Sequence, residues 1–519
     1  MSREKNLQLK WGSILSYIQM GLNVIIGLAF TPIILGLLGQ NEYGLYNTVS
    51  STIAMLSILN LGFSAGYIRY YARYNARGDE DKISSLNGLF IILFSIIGLI
   101  ALVCGILMTT NLTVFFKDGL SKTEYLKATV LMALMSIRMA ISFPLGVFSS
   151  IIIAHERFIF IKICGMINTV FSPLITLAAL YMGYGSIGMV VVSVVLGTVT
   201  DCIYGYYVFS RLKQRFIFHG FEKGIVLELF SYTFFIAINM IVDQINWNID
   251  KLLLARFKGT SAVAIYSIGF SLYNYYMAFS TSISSVFTPR IHQIVNETKL
   301  DSPEQRCQLT DLFVKVGRIQ TLILGLVATG LIFFGKSFIV EIWTNEGYEE
   351  SYYVMLLLTL PASIALIQNL GIEIQRAENR HKFRSIAYLI MAVVNFVLSI
   401  FLCQKYGAIG CAFGTAISLI LANGIIINFY YHIKCNIDVI RFWKEIISIL
   451  PGFLVPSLLG TIFMKYVYIE DIFSFGLYAV VYAIIYIISV WFLSMNNTEK
   501  SMLIQQFERI AGKRGNCQN

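Results

Sequence analysis

Apolar stretches recur from one end of this 519-residue chain to the other. Many exceed 18 residues, which is enough for a helix to cross a hydrocarbon layer roughly 30 Å thick. Only 13% of the residues are charged and 57% are hydrophobic, whereas soluble domains carry about 25% charged residues. Runs of this length without strict alternation indicate helices, because backbone groups in lipid must be hydrogen-bonded within the segment. The sequence therefore predicts an all-α, polytopic membrane protein.

The apolar runs predict about fourteen transmembrane helices. They cover residues 11–35, 44–68, 85–108, 126–153, 159–181, 186–209, 225–249, 261–287, 312–334, 352–374, 385–403, 409–431, 445–466 and 473–493. The last pair is less clearly bounded, which leaves twelve or thirteen as alternatives. The first run follows a basic N-terminus, as in a signal peptide. It is too long for one and has no small-residue cleavage site, so we expect it to remain as span 1.

The distribution of basic residues predicts the orientation. With the N-terminus placed in the cytoplasm, the inner segments hold 29 of the 39 Lys and Arg residues, as the positive-inside rule requires. The weakest point is the outer turn after span 7, which carries Lys251, Arg256 and Lys258. Both termini are predicted to be cytoplasmic. The net charge of +10 is a topology signal, and no nucleic-acid partner is expected.

Three short stretches repeat at nearly one offset. Residues 39–46 align with 259–266, Arg69 aligns with Arg290, and residues 184–188 align with 406–410, at offsets of 220, 221 and 222. Ordered matches of this kind predict two homologous halves of six helices, related as parallel repeats by an axis along the membrane normal. The predicted lobes are residues 1–223 and 224–440. Residues 441–519 add two C-terminal helices, spans 13 and 14, and a cytoplasmic tail.

The repeat also explains two motif-like stretches. GLLGQNEYGLY, residues 36–46, is predicted to be the tight outer turn of a helical hairpin, its polar residues capping two helix ends. GYGSIG, residues 183–188, fits a dinucleotide fingerprint, but that motif requires a preceding strand and this one joins two membrane helices. The chain has no phosphate-binding G-x-x-x-x-G-K-[ST] sequence either. We expect no cofactor.

Histidine placement argues against an enzyme. The five histidines all fall in predicted inner loops. None is spaced as a metal set, and none lies at membrane depth beside an acid or a nucleophile. This excludes a buried catalytic histidine, and we expect neither a catalytic site nor a metal site.

Polar side chains form stripes on the first helices of each half. Span 1 carries Gln19 and Asn23 on one small, polar helical face, and span 7 carries Asn239, Asp243, Asn246 and Asp250 at spacings of 4, 3 and 4. Spans 2 and 8 carry looser stripes. Small residues at such spacings also allow close helix packing, so the stripes indicate either packing seams or a wet cavity. The candidate cavity residues are Gln19, Asn23, Asn60, Arg138, Asn239, Asn246 and Asn274.

Asp243 and Arg138 lie well inside their predicted spans, and Asp201 lies in the inner half of span 6. Such residues are costly in lipid and usually face a wet cavity or a partner. Asp243 is the candidate for coupling to Na⁺ or H⁺, with a structural ion pair as the alternative and Arg138 as the plausible partner. Asp201, near the inner end of span 6, is predicted to be structural.

Basic residues also cluster at inner helix ends. Their default role is topology and contact with anionic lipid, with phosphate binding at an inward-open mouth as the alternative. They are Arg69, Arg73, Arg77, Arg290, Arg376, Arg380, Lys382 and Arg384.

Spans 1 and 2 resemble a known family. The stretches LGLLGQNEYGLYNTV and LNLGFSAGYIRYYARYNARGDED are similar to the start of bacterial polysaccharide exporters. These are the Wzx-type O-antigen and capsule flippases of the multidrug/oligosaccharidyl-lipid/polysaccharide (MOP) superfamily. The resemblance implies two six-helix lobes in a V, a cavity lined by spans 1, 2, 7 and 8, and alternating access. Relatives similar to lipid II flippases carry several arginines at cavity depth in spans 1, 2 and 8. This chain lacks them.

The resemblance implies a flippase in the bacterial cytoplasmic membrane. Its substrate would be an undecaprenyl-diphosphate-linked oligosaccharide that moves from the inner to the outer leaflet. Without a nucleotide site, the drive would come from an ion gradient, the membrane potential or removal of the product. Membrane lipids and a polysaccharide polymerase are the implied partners. One alternative is a cation-coupled multidrug exporter of the same superfamily. A membrane glycosyltransferase is a weaker alternative, because the outer loops are short and carry no catalytic set.

Overall fold

The computed structural model describes residues 3–116, 120–221, 224–298, 301–344, 346–378, 380–466 and 471–515. These residues form helices and connections, with no strand among them. This confirms the all-α membrane fold class. The first nine helices are α1 Arg3–Ala54, α2 Phe63–Asn75, α3 Glu80–Thr110, α4 Leu112–Phe116, α5 Lys122–Ala154, α6 Phe158–Tyr181, α7 Gly185–Ser210, α8 Ile225–Lys258 and α9 Thr260–Glu297.

The second part of the described chain contains nine more α-helices and two π-helical stretches. The α-helices are α10 Pro303–Ser337, α11 Glu349–Leu366, α12 Leu370–Ala377, α13 His381–Leu419, α14 Ile427–Ile433, α15 Val439–Ile447, α16 Pro451–Tyr466, α17 Ile472–Leu493 and α18 Asn497–Gly515. A π-helical stretch, Phe338–Trp343, follows α10, and a second, Ile420–Ile426, joins α13 to α14. Below, inner and outer refer to the orientation that the charge pattern predicts.

Eight helical runs in the described ranges are long and apolar enough to cross a membrane, or eleven if each of three bent helix pairs is one span. Two of these runs, Lys10–Asn75 and Lys382–Ile433, are 66 and 52 residues long. Each is long enough for two crossings, because about 20 residues suffice for one. Helix α9 is not among the eleven, since Ser, Thr, Asn and Tyr residues lower its hydropathy. The exact number of fourteen spans stays a prediction.

Four glycines mark the outer turns, and they match in pairs. Gly39 interrupts α1 with φ 75° and ψ 169°, and Gly259, its counterpart in the predicted repeat, adopts φ 85° and ψ −179° between α8 and α9. Gly185 and Gly407, the second matched pair, have φ 55° and 58°. Positive φ favours glycine because it has no Cβ. The outer turn is shorter than predicted, since Gly39 alone breaks the helix, and the matched conformations support the predicted repeat.

The second predicted span is itself broken. Helix α1 ends at Ala54, a 3₁₀ segment covers Met55–Asn60, and α2 begins only after two residues with positive φ, Leu61 at 48° and Gly62 at 75°. A Cβ on Gly62 would lie 2.5 Å from Cγ2 of Ile236 in α8. The break therefore depends on a glycine at a close helix crossing.

Contacts gather the chain into two compact units. The first comprises Met1–Ser271 and Lys382–Ser418. Its core is largely aromatic, with α2 and α3 contributing Phe63, Tyr67, Tyr70, Phe90 and Phe94. The boundaries of the two units, after residues 271, 381 and 418, describe compactness and not internal repetition. The predicted lobe boundaries at residues 223 and 440 therefore stay a prediction.

The second unit comprises Leu272–His381 and Leu419–Asn519, and a buried arginine joins its segments. Arg318 of α10 is 3% exposed. It donates hydrogen bonds to both carboxylate oxygens of Glu499, at 2.7 and 3.0 Å, and to a carboxylate oxygen of Glu445 at 3.0 Å. Two acids and several carbonyl and hydroxyl acceptors satisfy this guanidinium, as a buried charge requires. It ties α15 and the start of α18 to α10.

Candidate functional site

The polar stripe of span 1 lies along α6. A Cβ on Gly165 would be 2.5 Å from Nε2 of Gln19, so the glutamine amide fills the space beside that glycine. One helical turn further along α1, Asn23 is exposed and its Oδ1 accepts a hydrogen bond from Thr169 Oγ1 at 3.1 Å. Gln19 thus contributes to a packing seam, while Asn23 lies at an accessible edge of the same stripe.

The polar residues of the α8 stripe become less exposed towards the C-terminal end of the helix. Asn239 and Asp243 are exposed, Asn246 is half-buried, and Asp250 is 1% exposed. The first two positions are accessible from outside the protein, as a cavity role requires. Their assignment to a substrate cavity stays a prediction.

Two further candidates keep a polar atom without a partner. The Oδ1 atoms of Asn60 and Asn274 are buried and accept no hydrogen bond from the described residues. Asn60 ends the 3₁₀ segment in the first unit, and Asn274 lies in the part of α9 that belongs to the second unit. A buried carbonyl oxygen without a donor is costly, so each of these atoms could accept a hydrogen bond from a bound group.

Arg138 is paired with an acid. Its Nη2 lies 2.8 Å from Oδ2 of Asp201, and both side chains are largely buried, at 22% and 16% exposed. The absence of a side chain at Gly197 makes room for the guanidinium, since a Cβ there would lie 2.7 Å from Nε of Arg138. The structure thus gives Arg138 a partner in Asp201, where the sequence analysis offered Asp243. The predicted structural role of Asp201 is consistent with this pair.

Among the described acids of the first unit, Asp250 is the most enclosed, and the polar pattern marks it only as the last member of the α8 stripe. Asp250 Oδ2 accepts hydrogen bonds from the hydroxyl of Tyr266, at 2.8 Å, and from Thr415 Oγ1, at 2.7 Å. Its Oδ1 is buried and has no hydrogen-bond partner, and no Lys or Arg of the described residues forms an ion pair with it. The Thr415 hydroxyl also lies 3.2 Å from Oδ1 of Asn395, whose Nδ2 is buried without a partner.

The polar cluster around Asp250 can hold a proton or a cation. A carboxylate so enclosed is stable if it is protonated or if a cation takes the place of a basic side chain. The oxygens nearby belong to one acid, to the hydroxyls of Tyr266, Thr415 and Ser399, and to one amide, which is the kind of donor set that hard monovalent cations accept. Asp250 was visible as the last member of the α8 stripe. Its partner Thr415, and Asn395 beside that hydroxyl, lie far along the chain and carry no spacing signal.

The outer turn contains a further polar link. Glu42, just after the break at Gly39, lies 2.5 Å from Nζ of Lys127 in α5 and accepts a hydrogen bond from the backbone N–H of Ser186 at 2.7 Å. Ser186 lies in the first turn of α7, where unpaired N–H groups favour an acid. The turn thus caps α7, whereas the sequence predicted caps on the two helices that the turn joins. Beside it lies a cavity of about 370 Å³ lined by Leu38, Gly39, Gln40, Asn41, Glu42, Leu45, Thr123, Glu124 and Lys127.

Two family models match the chain. The model described as Polysaccharide biosynthesis protein matches residues 10–295, and the MatE model matches residues 236–401. A protein of Shigella flexneri named "Putative O-antigen transporter" is 21% identical over 415 residues, which cover 77% of this chain and 92% of that protein.

Solved structures resemble the fold. The lipid II flippase MurJ in an inward closed conformation superposes with a TM-score of 0.66 at 17% identity, covering 92% of this chain and 97% of that one. An inward-facing multidrug resistance MATE family transporter of the MOP superfamily gives a TM-score of 0.57 at 13% identity, covering 81% and 99%. At such identities the likeness concerns the fold alone.

Proposed function

Because the chain belongs to the polysaccharide biosynthesis protein family, we propose that it is a flippase for a lipid-linked oligosaccharide. Its substrate is a surface-polysaccharide repeat unit carried on undecaprenyl diphosphate, moved from the inner to the outer leaflet of the bacterial cytoplasmic membrane. The observation that carries the proposal is the family match over residues 10–295. The name of the Shigella flexneri relative, which covers 77% of this chain, supports the same class of cargo.

The residues support a polar path for the sugars. Asn23, Asn239 and Asp243 are accessible on α1 and α8, and carboxamide and carboxylate groups are suitable hydrogen-bond partners for sugar hydroxyls. Asn60 and Asn274 each offer an unoccupied acceptor. The polyprenyl tail stays in lipid while the headgroup crosses, and alternating access carries the headgroup from one side to the other. Both termini are cytoplasmic in this proposal, and a polysaccharide polymerase uses the product.

The energy source is an ion gradient or the membrane potential. Asp243 was the coupling residue predicted from sequence, and its exposed position suits contact with the substrate path. Asp250 is the stronger candidate, because it is buried, has an unpartnered oxygen and has no basic partner among the described residues. Protonation or cation binding there would be sensitive to any movement that admits water, which is what coupling requires.

Deletion of the gene in its native organism tests the proposed cargo. We expect surface polysaccharide to be lost and the lipid-linked repeat unit to accumulate, with both restored by the wild-type gene. A deletion strain with normal surface polysaccharide and raised sensitivity to cationic drugs would instead support the second candidate, a cation-coupled multidrug exporter. The MatE match over residues 236–401 is the observation that favours this second candidate. A membrane glycosyltransferase would leave the repeat unit shortened rather than accumulated.

A further inference from the structure

Three arginines lie one turn apart at the inner end of α2. Arg69, Arg73 and Arg77 fall at every fourth position, which places them along one side of the helix and its C-terminal extension. All three are exposed. Positive charge at a helix C-terminus is favourable, but that effect does not require three guanidinium groups in a row.

Helix α8 holds two of these arginines in place. The Arg69 guanidinium carbon lies 4.2 Å from the centre of the Tyr232 ring, and Arg73 Nη1 lies 3.6 Å from Oε1 of Glu228. Tyr232 and Glu228 are one turn apart on α8. The two helices approach closely here, because a Cβ on Gly66 would lie 2.3 Å from Cδ1 of Leu229.

The donors of Arg69 are unused. The guanidinium of Arg69 stacks on Tyr232 and has no hydrogen-bond acceptor or acid among the described residues. Two other inner arginines are instead paired with carboxylates, Arg376 with Glu373 and Arg441 with Asp311, each at 2.7 Å. Stacking fixes the guanidinium plane and leaves its N–H edges available, which is the arrangement that recognises a phosphate bidentately.

We propose that Arg69 and Arg73 bind the diphosphate group of the lipid-linked substrate at the inner end of α2, and that the diphosphate displaces Glu228 from Arg73. This inference rests on the proposed function. Side chains one turn apart on a helix lie about 5–6 Å from each other at their Cβ atoms. Two guanidinium groups can therefore meet two linked phosphates at once. A phosphodiester lipid carries one phosphate charge and engages only one of them fully.

Substitutions of Glu228 and of the two arginines should change the affinity for the diphosphate in opposite directions. If Glu228 competes with the diphosphate for Arg73, then Glu228→Gln raises affinity, whereas Arg69→Ala and Arg73→Ala lower it. The measurement is binding of undecaprenyl diphosphate to the purified full-length protein in lipid nanodiscs, with phosphatidylglycerol and inorganic diphosphate as comparison ligands. We expect the double variant R69A/R73A to bind undecaprenyl diphosphate about tenfold or more weakly, and E228Q to bind it several-fold more tightly. Arg441→Ala, which removes an exposed arginine on α15, is the control and should leave binding unchanged.

The comparison ligands separate the sources of phosphate. A loss confined to undecaprenyl diphosphate supports the proposal, and an equal loss for phosphatidylglycerol would mean that these arginines only attract anionic lipid. If E228Q weakens binding and lowers thermal stability, the Arg73–Glu228 pair is a structural clamp and the proposal is wrong. Wild-type binding that R69A/R73A leaves intact would remove this site but not the flippase function. Failure of the wild type to bind any undecaprenyl diphosphate would count against the function itself.

Discussion

The two predicted halves match in the conformation of their outer-turn glycines and differ in where they place buried charge. Gly39 and Gly259, which the repeat matches, adopt the same conformation. In the first half, the buried charges of Arg138 and Asp201 neutralise each other across 2.8 Å. In the second half, Asp250 is buried with hydroxyl donors and no basic partner among the described residues.

Equivalent positions make the contrast sharper. The offset of 220 places Phe30 at the position of Asp250, and the offset of 222 places Asn423 at the position of Asp201. An offset of 221 places Thr359 at the position of Arg138. Neither charged group is thus retained in the other half. Backbone turns are common to both halves because the fold needs them, whereas the buried charges are specific to each half. The second half also contains the buried Arg318, which Glu499 and Glu445 neutralise. We infer that this cluster and the Arg138–Asp201 pair are structural, and that Asp250 is the titratable or cation-binding group.

The largest loss of stability is expected from breaking the Arg138–Asp201 pair of the first half. Arg138→Ala leaves Asp201 buried without its partner, and removing one member of a buried pair typically costs about 3–5 kcal/mol of unfolding free energy. We expect a value near the lower end, because both side chains retain some exposure. Thermal unfolding of the purified protein in detergent measures the loss.

A double variant checks the reason for that loss. Arg138→Thr with Asp201→Asn gives the first half the residues found at the matching positions of the second, Thr359 and Asn423. It should recover most of the stability that Arg138→Ala loses. If Arg138→Ala is as stable as the wild type, the pair is not structural and the contrast between the halves fails.

A smaller loss is expected at the outer turn of the first half. Glu42 has Ala262 at its matching position, so the first turn supplies its own acid. The second turn instead donates a hydrogen bond from Thr260 to Glu124 of α5 at 3.4 Å. Glu42→Ala removes the acceptor of the Ser186 N–H and should cost about 1–3 kcal/mol, measured by the same thermal unfolding. Glu42→Gln keeps an acceptor oxygen and loses only the charge that faces Lys127, so its effect should be smaller. Equal losses for both variants would mean that the ion pair, and not the helix cap, stabilises the turn.

The smallest effect is expected on the pH dependence of stability, and it concerns Glu378 at the inner turn of the second half. Burial raises the pKa of Glu378 to about 7, although Arg380 lies 3.3 Å away. The folded protein therefore holds this proton more tightly than the unfolded chain does, and this contribution to stability falls as pH rises from about 4.5 to 7. Glu378→Gln should flatten the pH dependence of the unfolding temperature over that range. Glu156→Gln, at the matching position of the first half, is the control. A pH profile unchanged by Glu378→Gln would contradict the assignment.

The sequence predicts the fold class well because membrane helices are specified locally. Apolar runs of about 20 residues and glycine at a positive φ need no distant partner to be recognised. Span 2 was less visible, since its break at Leu61 and Gly62 depends on packing against Ile236. The partners of charged residues were harder still. Arg138 and Asp201 lie on α5 and α7, and Asp250 meets Thr415 of α13, so only the folded helices bring these groups together. The α8 stripe contains both candidate carboxylates, and burial distinguishes Asp250 from Asp243 on it.

In the proposed function, transport is coupled to an ion through Asp250, the buried carboxylate of the second half. The direct measurement is flipping of a fluorescent undecaprenyl-diphosphate-linked oligosaccharide in proteoliposomes, with and without an imposed Na⁺ or proton gradient. We expect one of these gradients to accelerate flipping by the wild type, and Asp250→Asn to reduce the rate to its value without a gradient. Asp243→Asn tests the coupling residue that the sequence predicted. Full acceleration by the gradient in Asp250→Asn, with coupling lost in Asp243→Asn instead, would contradict the role assigned to Asp250.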